Sequence, residues 1–159
     1  MTKRVDTAEY MDVLRELVGQ GHRVSVKVAG SSMAPFLRDG RDTVFFSAPR
    51  TGIEKGDIVF YTRPGGQYVM HRVCRIATDG SLDICGDGQC VMECGVPRSA
   101  VFARVDKAER DGRLIAPGDK YWDFYAGFWV DSFRVRPVLL RGGSAAKKML
   151  KRLGIEVGL

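Results

Sequence analysis

The sequence has no long apolar run and no export signal. No stretch reaches the roughly 18 consecutive apolar residues that suggest a membrane-spanning helix. The N-terminal segment MTKRVDTAEYM has no apolar run after its basic pair, so it does not have the pattern of a secretory signal. We therefore expect a cytoplasmic protein, in which any association with a membrane is peripheral.

The chain is also poor in metal-binding and redox-active residues. It contains two histidines and four cysteines, and no two cysteines form a CxxC pair. Without an export signal, the thiols are expected to be reduced rather than joined in disulfides. We predict no cofactor and no metal site from this spacing. The cysteines are Cys74, Cys85, Cys90 and Cys94.

Length and composition indicate one globular domain. The chain has 159 residues, of which 45% are hydrophobic and 28% charged, close to globular averages. Its net charge of +6 has a local origin, because seven cations and no acid lie between Phe133 and Leu153. This basic stretch suggests an anionic partner.

The N-terminal segment predicts a short amphipathic helix. Asp6 and Glu9 have the spacing of a capping box, and apolar residues then recur at helical intervals up to Val18. Everything before Val24 is too short to form a helix-turn-helix module. We expect no sequence-specific binding to DNA.

From Arg23 the hydrophobic period changes to two, which is typical of β-strands. Glycine, proline and Asp-Gly turns separate the runs. The pattern predicts a mainly β fold, a bent-sheet partial barrel or sandwich, over residues 23–116. It is preceded by the helix in 1–22 and followed by a helical tail in 117–159. The predicted strands are Val24–Val28, Thr43–Phe46, Asp57–Thr62, Tyr68–Ile76, Ser81–Ile84 and Val101–Val105.

The tail is aromatic and basic, and two interpretations of it stay open. Residues 121–153 have the composition of a segment that lies on an anionic membrane surface. Alternatively, the aromatic residues cover the β-domain or a dimer partner, and the basic end is solvated. The residues concerned are Trp122, Tyr125, Phe128 and Trp129.

Three short segments carry residues suited to nucleophilic chemistry. A serine lies in a constrained turn after a strand in Gly30-Ser31-Ser32-Met33-Ala34-Pro35, and His71 lies within the predicted strand Tyr68–Ile76. A further strand leads into Gly86-Asp87-Gly88-Gln89. Taken singly, each segment is more often structural than catalytic.

Together with Gly56-Asp57-Ile58-Val59, these segments resemble, in order, the boxes of the signal peptidase I and LexA-like serine peptidase superfamily. The resemblance covers about residues 24–108. His71-Arg72-Val73 is similar to the endoplasmic-reticulum and archaeal signal peptidase branch, in which histidine takes the place of the lysine base. The resemblance implies a fold of the LexA and signal peptidase type.

The resemblance to this superfamily also implies that Ser32 is the nucleophile and His71 the general base. Histidine, with an ordinary pKa of about 6.5, can take the proton of a serine and return it to a leaving amine. Asp87, which matches the tighter motif of the resemblance, is the first choice for the acid that orients the imidazole, and Glu93 is the alternative that stays open. The oxyanion hole would consist of backbone N–H groups in the turn Gly30 to Ser32.

The predicted function is a serine endopeptidase that cleaves a peptide or leader-like segment bound as an added strand. The alternative is a non-catalytic binding module of the same fold that uses its basic tail on an anionic membrane or nucleic acid. LexA-like self-cleavage at Ala126-Gly127 is a third possibility, although this bond lies in a segment expected to be ordered.

Overall fold

A single antiparallel sheet forms the body of the molecule. The structure, a computed structural model, describes residues 7–153, without the side chain of Leu150. In this range the strand order is β1-β2-β7-β3-β4-β5-β6, and β8 pairs with one end of β7. The strands are β1 (Val24–Lys27), β2 (Asp42–Ser47), β3 (Ile58–Thr62), β4 (Tyr68–Ile76), β5 (Leu82–Cys85), β6 (Glu93–Val96), β7 (Val101–Arg110) and β8 (Arg113–Ile115).

The sheet is bent and unclosed, as the expected fold class requires. Register shifts interrupt four strand pairs, and such bulges increase the local bend and twist. One shift falls between Phe60 and Tyr61, where β3 pairs with β7. The mainly β fold with flanking helices is therefore confirmed.

The hairpin between β3 and β4 sets the register that the candidate site depends on. Its turn is closed by the N–H of Arg63, which donates to the carbonyl of Gln67 (2.9 Å). Val59 then pairs with His71, and Tyr61 pairs with Val69. Because side chains two residues apart share a face, Tyr61 and His71 are diagonal neighbours on one side of the sheet.

Helices at both ends of the chain pack against this sheet. Helix α1 (Thr7–Gly19) contributes Met11, Leu14 and Val18 to the main core. The C-terminal part comprises α2 (Lys120–Phe124), a π-helical segment (Tyr125–Trp129) and α3 (Arg136–Arg152). A short 3₁₀ turn (Arg98–Ala100) precedes β7.

The aromatic segment covers the β-sheet through three of its four named residues. Trp122, Tyr125 and Trp129 are buried and join the main core, whereas Phe128 is 59% exposed. Within residues 7–153, no helix is both long enough and apolar enough to cross a bilayer.

The π-helical segment comes very close to the loop before β3. A Cβ placed on Gly56 would lie 2.6 Å from the carbonyl oxygen of Ala126, and the φ of Gly56 is +95°. Glycine is therefore required here both for its backbone conformation and for the close approach.

We predict that Gly56→Ala is markedly more destabilising than Gly66→Ala. Both glycines have positive φ, +95° and +88°, so both variants incur the cost of about 1–2 kcal/mol for a left-handed alanine. Only Gly56 would also clash with the backbone of Ala126, which we expect to add about 1–3 kcal/mol. Urea denaturation measures the free energy of unfolding of both variants. Equal losses would contradict the close packing of Gly56 against the backbone of Ala126.

Candidate active site

Ser32 lies in a turn whose two ends are held together. The N–H of Val28 donates to the carbonyl of Asp42 (2.8 Å), and the N–H of Gly40 donates to the carbonyl of Val28 (2.9 Å). The apolar residues that follow Ser32, including Met33 and Phe36, are almost fully buried. The half-buried serine is thus carried on a segment fixed to the core on its C-terminal side.

The loop after β5 braces the backbone of the serine turn. The N–H of Gly88 donates to the carbonyl of Ser32 (2.8 Å). A Cβ on Gly86 would lie 2.4 Å from that same oxygen, and one on Gly88 would lie 2.6 Å from the carbonyl of Ala34. Glycine is needed at both positions so that the two backbones can meet.

Asp87, between these glycines, forms a buried ion pair with Arg72. The Arg72 guanidinium donates from Nε and Nη2 to the two carboxylate oxygens, each at 2.8 Å, and both side chains are fully buried. Its Nη1 donates to the carbonyl of Gly56 (2.8 Å), and the cation lies 4.8 Å from the centre of the Phe36 ring. Nε1 of Trp129 donates to the carbonyl of Asp87 (2.9 Å).

This pairing places Asp87 on the other side of β4 from His71. Neighbouring side chains on a strand point to opposite faces, and Arg72 follows His71 directly. Within residues 7–153, the Asp87 carboxylate makes no hydrogen bond to the imidazole.

Glu93 approaches His71 through the hydroxyl of Tyr61. His71 is 4% exposed, and its Nδ1 lies 3.4 Å from the Tyr61 hydroxyl, which donates to Oε2 of Glu93. The phenol has one proton, which it donates in the hydrogen bond to Glu93, so its oxygen is left as an acceptor toward Nδ1 of His71. In the neutral tautomer that carries its proton on Nδ1, His71 can donate to this oxygen, and its Nε2 lone pair is free to act as a base.

Arg63 holds the carboxylate of Glu93 in place. Its Nε donates to Oε1 at 2.8 Å. Burial alone would raise the pKa of Glu93, but the hydrogen bonds from Tyr61 and Arg63 outweigh it and hold this pKa below its ordinary value. Burial, together with the bond to Glu93, raises the pKa of Tyr61, so the phenol keeps its proton at neutral pH.

Burial lowers the pKa of His71 to about 4, an effect that the Arg63 cation reinforces and the Glu93 carboxylate opposes. The imidazole is consequently neutral near pH 7, the protonation state that a general base requires.

Ser32 and His71 line one cavity of about 300 Å³. Arg63, Gln89 and Met70 line it as well. Ser32 Oγ makes no hydrogen bond within residues 7–153, so the Ser32–His71 hydrogen bond that the reaction needs is not formed in this structure. Catalytic hydrogen bonds are often long or poorly aligned before substrate binds. The structure therefore brings the expected nucleophile and base to the same cavity.

Two backbone donors in the serine turn are unpaired in the described part of the chain, and of these two residues Ser32 lines the cavity. The N–H groups of Ser31 and Ser32 donate no hydrogen bond within the described range, whereas the N–H of Gly30 donates to Oδ1 of Asp39 (2.9 Å). Of the three expected oxyanion residues, Gly30 is thus already engaged.

Sequence reasoning missed Tyr61 and Arg63. The turn Pro64-Gly65-Gly66 fixes how the two flanking strands pair, and that pairing makes Tyr61 a diagonal neighbour of His71. The hydroxyl of Tyr61, which follows the apolar run Ile58 to Phe60 on β3, was the available indication for this residue.

The remaining candidates lie elsewhere. All four cysteines are free thiols, with Cys74 and Cys85 buried, and no group of three or more His, Cys, Asp or Glu residues in the described chain could hold a metal ion. The bond Ala126-Gly127 lies in the π-helical segment between the buried Tyr125 and Trp129.

Comparisons with protein-family models, with curated proteins and with solved structures give no match.

We predict that Arg72→Met costs about 3–5 kcal/mol of unfolding free energy, because it leaves the Asp87 carboxylate buried without its partner. The matched control is Arg23→Met. This change removes the ion pair between Arg23 and Asp106, in which the Arg23 side chain is 55% exposed. Exposed pairs contribute about 1 kcal/mol or less, so we expect little effect. Chemical denaturation compares the two, and similar small losses would contradict the structural role of the buried pair.

Proposed function

We propose that the protein is a serine endopeptidase in which Ser32 is the nucleophile and His71 the general base. The observation that carries this proposal is the shared cavity: the half-buried serine and a buried, neutral histidine both line it. The order of sequence boxes that resembles the signal peptidase and LexA-like superfamily supports the same assignment.

In the proposed reaction, Nε2 of His71 takes the proton of Ser32 as Oγ attacks the carbonyl carbon of the scissile bond. The new oxyanion accepts hydrogen bonds from the N–H groups of Ser31 and Ser32. The imidazolium then returns its proton to the leaving amine as the carbon–nitrogen bond breaks, and water hydrolyses the resulting acyl ester by the same steps.

Glu93, rather than Asp87, is the acid that we propose to assist the base. Its carboxylate is linked to Nδ1 of His71 through the Tyr61 hydroxyl, so it stabilises the imidazolium across one intervening group. Asp87 has a structural role in this proposal. Its charge is neutralised by Arg72, and the loop that carries it supports the carbonyl of Ser32.

The surroundings of the cavity favour an extended peptide with apolar side chains. A second cavity of about 490 Å³ shares Val28, Tyr68 and Met70 with the first and is walled by α1 and β1. Within the described chain, β1 pairs only with β2, so its other edge is available to a peptide strand.

The principal test is covalent labelling by a serine-directed fluorophosphonate, together with cleavage of peptides from a random library. We expect Ser32→Ala to abolish both reactions, and His71→Ala to slow them by about 10²–10⁴-fold, the usual contribution of a general base. Ser31→Ala keeps its backbone N–H and is the matched control that should retain activity. Labelling or cleavage that persists at full rate in Ser32→Ala would refute the proposal and favour a non-catalytic binding module.

The pH dependence of labelling tests the proposed base. Since the neutral imidazole is the active form, the rate should stay level through neutral pH and fall at acid pH with a midpoint of about 4. Arg63→Gln removes a cation that lowers the pKa of His71, so this midpoint should move upward.

Two further variants separate the candidate acids. Glu93→Gln should lower the labelling rate at neutral pH, because the imidazolium loses the charge that stabilises it. Asp87→Asn should instead lower the free energy of unfolding, because it removes the buried ion pair with Arg72. It should leave the acid midpoint of the labelling rate unchanged. A shift of that midpoint in Asp87→Asn alone would make Asp87 the partner of His71.

A further inference from the structure

The second half of α3 stands away from the body of the molecule. Leu140 is the last residue of this helix that packs against the main core. Every described side chain from Arg141 to Arg152 is exposed. At about 1.5 Å per residue, this part of the helix is about 18 Å long.

From Val138 onward, α3 has one apolar and one cationic side. With 3.6 residues per turn, Val138, Leu139, Ala146 and Met149 fall on the same side, and three of them are large side chains exposed by 72%, 42% and 65% in chain order (Val138, Leu139, Met149). No acidic residue occurs in Arg136–Arg152. The cations lie on the opposite side of the helix and at the edges of the apolar side. These cations are Arg141, Lys147, Lys148, Lys151 and Arg152.

This part of α3 has little internal stability. A free helix shorter than about 12–15 residues is marginal in water, and each of Gly142 and Gly143 costs about 1 kcal/mol relative to alanine. Like charges three or four residues apart add repulsion. A partner that covers the apolar side and neutralises the cations would supply the missing stability.

We propose that α3 is an interfacial helix that binds an anionic lipid surface. In such a surface the apolar strip enters the boundary between headgroups and acyl chains, and the cations stay beside the anionic headgroups. A nucleic acid would neutralise the same cations but leave Val138, Leu139 and Met149 in water. The two-sided pattern therefore favours lipid.

The base of α3 is fastened to the loop that supports Ser32. Arg136, the first residue of the helix, is fully buried and donates from Nη1 to the carbonyls of Gly86 (3.2 Å) and Gln89 (3.3 Å). Its Nη2 donates to the carbonyl of Trp129 (2.9 Å). A chain bound through α3 would hold its cavity at a set distance from the lipid surface, whether or not that cavity cleaves peptides.

Co-sedimentation of the full chain with vesicles tests this proposal. We expect binding to vesicles of phosphatidylglycerol mixed with phosphatidylcholine, weaker binding as salt is raised, and none to phosphatidylcholine alone. Lys147→Gln and Lys151→Gln should each weaken binding by about fivefold.

Two charge-matched variants separate the sides of the helix. Met149→Glu places an acid in the apolar strip and should weaken binding at least about fiftyfold, because an electrostatic loss of about fivefold is multiplied by a loss of about tenfold or more for methionine burial in the lipid. Ser144→Glu makes the same change of charge on the cationic side and should weaken binding by only about fivefold. Both side chains are exposed, so neither variant threatens folding.

Three outcomes would overturn the proposal. The first is no binding to the anionic vesicles, and the second is an equal loss in Met149→Glu and Ser144→Glu. The third is tight binding to a random single-stranded oligonucleotide that Met149→Glu weakens no more than Ser144→Glu, together with weak binding to vesicles; this would assign the cations to nucleic acid.

Discussion

The buried ion pair between Arg72 and Asp87 is the constraint on which the rest of the site depends. Removing two charges from water is costly, and only good geometry with further hydrogen bonds offsets that cost. Here the guanidinium binds both carboxylate oxygens and the carbonyl of Gly56, and it lies against the ring of Phe36. One interaction thereby connects β4, the loop before β3, the loop after β5 and the segment that follows Ser32.

On the opposite face of β4, burial has a different consequence. No carboxylate among residues 7–153 contacts His71 directly, so burial favours its neutral form. Tyr61 is interposed between the ring and Glu93, and its donation to Glu93 leaves its oxygen as an acceptor toward Nδ1 of His71. The same strand thus carries a fully charged buried residue and a neutral one in adjacent positions.

The features that were predictable from the sequence are those with a local cause. The bounds of β4 match the prediction, because alternation and the Pro-Gly-Gly turn define this strand without reference to its partners. The short strands β6 and β8 escaped prediction, since Glu93–Val96 and Arg113–Ile115 have too few apolar residues to show a period and are strands only through pairing. Strand β7 continues to Arg110, five residues beyond its predicted end, because it is paired on both edges.

The candidate site divides along the same line. Ser32 and His71 could be named because each lies in a short recognisable segment, and the structure places both at one cavity. The partner of Asp87 could not be deduced, because Arg72 is fifteen positions away and only the fold brings the two together. The link from Glu93 through Tyr61 likewise depends on the register of four strands, β3 to β6.

The alternation of His71 and Arg72 along β4 has a consequence for errors of folding. Sliding β4 by one residue would turn every side chain to the other face, so the guanidinium would enter the cavity and the imidazole would meet the core. Asp87 would then be a bare anion in an apolar interior. Such a misaligned sheet would lack the ion pair between Arg72 and Asp87 and would be less stable than the native sheet. The ion pair therefore favours the native alignment of β4 over an alignment shifted by one residue.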